Sequence, residues 1–157
     1  MFLGLFTAIL GYPFLHELGH GAAAVLAGAT VESFSVFPAA YVLCDVYGVG
    51  ELSRVFIGVS GMLLPFICAI IIHCKNFWLW YMGLLLNTIS IIAFVISVVG
   101  CFLFHSNPLP YNDVTGLLAM EAVPEVIWVI FLAFLIIWAA LRIFASRPKK
   151  RCDEYFF

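Results

Sequence analysis

The chain is built from long apolar runs separated by short polar breaks. The first run is continuous over residues 2–27 apart from the cluster His16-Glu17-Leu18-Gly19-His20, and it predicts a single helix. Arg54 and Lys75 bracket a second run, which predicts a span over residues 55–73. A third run predicts a span over residues 77–104, and a fourth, around the stretch between Glu125 and Arg142, over residues 123–145. Each run approaches or exceeds the roughly 20 apolar residues that a helix needs to cross a bilayer. The first run has no charged stretch ahead of it, so it reads as a span rather than a signal peptide.

The breaks carry different signals. Residues 30–54 are rich in Val, Phe and Tyr, alternate in places, and are interrupted by Pro38, Gly48 and Gly50. That pattern predicts short strands and a hairpin at the membrane surface. Residues 105–124 contain Pro108 and Pro110, which forbid a regular helix. Asn112 or Asp113 there is placed to cap a short helix ending near Glu121, within a re-entrant-like loop. Arg147, Lys149, Lys150 and Arg151 form a basic juxtamembrane tail over residues 147–157. By the positive-inside rule the tail lies in the cytoplasm, and four spans bring the N-terminus to the same side. The expected fold is an all-α integral membrane protein with one transmembrane domain over residues 1–146. It is a bundle of about four helices, with a small β-hairpin after the first and a Pro-rich loop before the last.

Composition turns this pattern into a class. Of 157 residues, 65% are hydrophobic and 10% charged, against soluble norms of roughly 45–50% and 25%. A mean hydropathy of +1.14 agrees. A water-soluble domain of this length has more surface than so few polar groups cover. The net charge of −2, with no basic face outside the tail, excludes a nucleic-acid partner. The five cysteines include no CxxC pair, and Cys68 and Cys101 read as small buried hydrophobes.

Scarcity of charge makes the His16–His20 cluster informative. On a helix the two histidines lie one turn apart on one face and reach one metal ion. Glu17 beside them has the placement of a general base toward a metal-activated water. Ionisable groups in an apolar helix are costly and usually functional, the blander alternatives being a polar helix contact or a pore lining. Catalytic zinc needs a third protein ligand. Asp113 is the leading candidate, its plain alternative being a helix N-cap. His105, Glu32, Asp45, Glu51, Glu121 and Glu125 are the others. Asn87, inside the third run, reads as an interhelical hydrogen bond.

These residues resemble the site-2 protease family of intramembrane zinc metalloproteases. The HELGH helix is followed by Gly28, Val31, Phe34 and Ser35, which match the family's Gly-x-x-Val-x-x-Phe-Ser-like strand. Asn107, Pro110 and Asp113 match its Asn-x-x-Pro…Asp motif, with a shorter spacing and with Val114 where the family has glycine. Gly61 and Pro65 in SGMLLPF resemble the Gly-Pro segment of the family's next helix. The layout is similar to the compact branch that carries no PDZ domain.

The resemblance implies one zinc ion per chain, held by His16, His20 and Asp113, with Glu17 as the general base. It implies a membrane-anchored protein substrate that unwinds and pairs with the strand segment. Asn107, or alternatively His105 or Asn87, steadies the oxyanion. It also implies a site opening toward the cytosol. The tail charges place the hairpin and the Asp113 loop on the opposite side; both readings put those two segments together. A non-enzymatic metal-binding membrane protein, either a scaffold or a metal transporter, is the alternative, and a metal-free helical bundle is the third.

Overall fold

The computed structural model describes residues 2–72, 76–103 and 125–146. The first helix, α1, runs over Phe2–Leu26. Its interior holds a π-helical turn, Thr7–Gly11, where the Tyr12 N–H donates to the Thr7 carbonyl five residues back. Pro13 lies immediately beyond. Proline has no N–H to give the preceding turn and its ring crowds the carbonyl four residues back, so the widened turn falls where the α-helical ladder is interrupted.

The helix ends in a Schellman motif. The Ala29 N–H donates to the Ala24 carbonyl at 2.8 Å and the Gly28 N–H to the Val25 carbonyl at 3.1 Å. Gly28 adopts φ +81°, a conformation that costs other L-residues about 1–2 kcal/mol. The chain then turns directly into strand β1, Thr30–Ser35, which pairs antiparallel with β2, Tyr41–Asp45.

Helix α2 spans Glu51–Ile71, α3 Phe77–Leu103 and α4 Glu125–Ser146. The expected span over 55–73 therefore begins four residues earlier. Gly50 supplies the extended residue ahead of the first turn, Glu51 suits the positive end of the helix, and the Arg54 Nε donates to the Val49 carbonyl at 2.9 Å. Asn76 opens α3, its Oδ1 accepting from the Trp78 N–H at 2.9 Å. Among the described residues, three helical stretches are long and apolar enough to cross a membrane: Phe2–Leu26, Glu51–Ile71 and Phe77–Ile96.

Helix α2 is the centre of the packing. Tyr12 of α1, Ala69 of α2 and Leu86 of α3 form one buried cluster. Met62 and Phe66 of α2 meet Phe94 of α3 and Leu135 of α4 in a second. Ala23 and Ala24 of α1 meet Ile57 of α2 and Val49 in a third, over which the hairpin residues Val31 and Cys44 pack. The outward faces are apolar too. On α4, Ile127, Ile130, Phe134, Ile137, Leu141 and Phe144 are all exposed at helical spacing, a surface that suits hydrocarbon rather than water.

A bulge sets which side of the hairpin meets α1. Val31 opposes Cys44 and Phe34 opposes Val42, with the register shift falling between Val31 and Ser33. Without that extra residue, Val31 and Phe34 would point to opposite faces. With it, both lie on the helix side: Phe34 meets Phe14 edge to face at 6.2 Å between ring centroids.

Candidate metal centre

His16 and His20 occupy successive turns of α1, just before its C-terminal Schellman turn. His20 is buried, and its Nδ1 lies 2.8 Å from the Ile57 carbonyl of α2. A carbonyl only accepts, so Nδ1 carries the proton and Nε2 of the neutral ring presents a lone pair. That Nε2 lies 3.2 Å from Nε2 of His16, with the two rings nearly perpendicular at 85°. Two nitrogens each about 2.0–2.1 Å from a tetrahedral metal lie about 3.3 Å apart, so the pair has the separation of two zinc ligands. A backbone carbonyl behind a ligating imidazole is also the usual device that fixes its tautomer and direction. The Tyr12 ring flanks His16, with centroids 5.6 Å apart. These two histidines fit a zinc ion.

Glycine makes this arrangement possible. A methyl group on Gly19 would overlap the Ser60 carbonyl of α2, and one on Gly61 would overlap the His20 imidazole. The backbones of α1 and α2 therefore meet directly at the level of His20. The Ile57 carbonyl reaches the ring because no side chain separates the two helices there.

Glu17 is half-buried between the two histidines in sequence. The hairpin stands close to this turn: a methyl on Gly21 would touch Val42 at 3.6 Å. The Cys44 thiol is pushed above its ordinary range by burial, then by the Glu17 and Glu32 carboxylates. Burial and nearby anions both favour the neutral thiol. In metal-free protein, alkylation of Cys44 should thus rise only at a pH above that of an ordinary cysteine. Glu17→Gln removes one of the two anions and should move that midpoint down. The check is mass-spectrometric quantitation of the Cys44 peptide across pH; an unmoved midpoint would mean that Glu17 does not face the hairpin.

The other expected site residues divide into three groups. Asn87 lies on α3 and is fully buried. Asp113, Asn107, His105 and Glu121 lie outside the described residues. Of the remaining acids, Glu32 sits at the bulge, the Asp45 Oδ1 accepts from the Tyr47 N–H at 2.9 Å, Glu51 begins α2 and Glu125 begins α4. Among the described residues, no set of three His, Cys, Asp or Glu side chains forms a metal-ligating group. The acids of the hairpin region thus do not complete the pair, and neither does Cys44. Sequence reasoning did not foresee the Ile57 carbonyl or the closeness of Cys44 to Glu17; neither a main-chain acceptor nor a strand cysteine has a spacing signature.

No family model, curated protein or solved structure matches the chain.

Proposed function

We propose that the chain is an intramembrane zinc metalloendopeptidase, hydrolysing a peptide bond in or near the transmembrane segment of a membrane-anchored protein. One observation carries the reading. The His16 and His20 Nε2 atoms converge to 3.2 Å inside an apolar helix, with the His20 Nδ1 held by the Ile57 carbonyl. The 3.2 Å separation also suits a hydrogen bond between the rings; Glu17 alongside, a proton acceptor that such a contact does not need, favours the metal. His16, His20 and Asp113 would hold the ion, in a bundle of about four spans that includes α4.

Zinc, when bound, supplies Lewis-acid polarisation of the scissile carbonyl and acidifies the attacking water. Glu17 takes the proton from that water and delivers it to the departing amine. Asn107, or alternatively His105, donates to the developing oxyanion. Among the described residues, each strand of the two-stranded sheet keeps an outer edge. An unwound substrate segment can pair there as an added strand, which hands its backbone hydrogen bonds from its own helix to the hairpin. Phe34, turned to the helix side by the bulge, holds the hairpin against α1 near the histidines.

Metal analysis and a cleavage assay together test this. The purified full chain should bind about one zinc, and His16→Ala with His20→Ala should lose it. The same protein, reconstituted with single-span substrates, should cleave within or beside the span, and a chelator should stop it. Zinc binding with no cleavage of any substrate would favour a scaffold or transporter. No zinc at all would leave a structural bundle.

A further inference from the structure

Helix α3 presents one continuous packing stripe. Trp80, Gly83, Asn87, Ser90 and Phe94 recur at three- and four-residue spacing and are all buried. The stripe faces α2. Gly83 lies so close that a methyl there would stand 3.2 Å from the Ile72 carbonyl and 3.3 Å from that of Ala69, and Phe94 packs with Met62 and Phe66. Asn87 lies between these two contacts, one turn from Gly83, with no exposed surface.

Its polar neighbours on the chain are satisfied locally. The Ser90 hydroxyl donates to the Leu86 carbonyl at 2.8 Å and the Thr88 hydroxyl to the Leu84 carbonyl at 2.8 Å. Asn87 differs: among the described residues, neither its Nδ2 nor its Oδ1 has a hydrogen-bond partner. A carboxamide in the interior of a membrane bundle is too costly to leave unmet on all sides.

We infer that the Asn87 carboxamide holds an internal water between α2 and α3. Water fits in size, because nothing larger enters a fully enclosed position. It fits in chemistry, because it accepts from Nδ2 and donates to Oδ1 at once. The stripe carries no ionisable side chain, so a neutral ligand is matched and a cation is not. The inference stands apart from the hydrolase reading, since it needs neither zinc nor Glu17.

X-ray hydroxyl-radical footprinting of the full chain in lipid nanodiscs tests it, because radicals born from an internal water oxidise the buried side chains around it. Leu86, beside Asn87 and nearly fully buried, should be labelled well above Leu135, which is equally buried in another cluster. Asn87→Leu should bring Leu86 down to the level of Leu135. Asn87→Thr, which keeps a donor and an acceptor, should retain the label. If Leu86 in the native chain is labelled no more than Leu135, the contact is dry and the inference fails. It fails equally if the label persists unchanged in Asn87→Leu.

Discussion

Glu17→Gln should abolish hydrolysis while leaving the metal in place. The substitution conserves shape and removes only the ability to take a proton. Both imidazoles remain where the α1 turn and the Ile57 carbonyl hold them. General acid–base catalysis by a positioned carboxylate contributes about 10²–10⁴-fold, so activity should fall by at least that range. Zinc content and thermal stability should stay at native levels. Two measurements on one preparation settle the outcome: metal by mass spectrometry and turnover of a single-span substrate. Full activity in this variant would remove Glu17 from the mechanism, and loss of zinc would make it a structural support of the site.

The second large effect should come from Gly61→Ala. Inside an exposed helix a Gly→Ala change ordinarily adds up to about 1 kcal/mol, because alanine forms helix better. Here the new methyl falls on the His20 imidazole. The ring must leave the Ile57 carbonyl or the helices must part, and overpacking of this kind costs about 1–3 kcal/mol. The overlap outweighs the propensity gain. The ring is the softer of the two, so the main loss should be in zinc affinity, with a smaller fall in stability. Gly19→Ala reverses that balance: its methyl meets the Ser60 carbonyl, a backbone group that cannot rotate away. It should destabilise the fold more than Gly61→Ala does. Zinc titration and thermal unfolding of both variants in detergent check the pair. Native zinc affinity in Gly61→Ala would show that α1 and α2 do not meet at His20 as described.

Much of the fold was legible because its signals are local. Helix Phe2–Leu26 ends within a residue of the apolar run that predicts it, and the helix that begins at Phe77 starts where the third run does. The strands fall where Val, Phe and Tyr alternate between Gly28 and Gly50. The early start of α2 was less visible. Hydropathy marks Arg54 as a boundary, whereas the helix extends to Glu51 because the Arg54 side chain folds back on the Val49 carbonyl. The bulge at Glu32 was not legible either. Val31 and Phe34, three residues apart, suit a helix face or a bulged strand equally, and only pairing with β2 decides.

The candidate centre divides along the same line. Sequence by itself determined that His16 and His20 share a helix face with Glu17 between them, because a helical repeat near 3.6 residues leaves no other choice. It also determined that these groups sit in an apolar segment, because charge is so rare along the chain. Tertiary structure alone decided which nitrogen of His20 carries the proton. That follows from the Ile57 carbonyl, 37 residues away in sequence, approaching Nδ1. The approach exists because two glycines on different helices let the backbones touch. A spacing rule describes one helix; a tautomer set by the neighbouring helix is a property of their crossing.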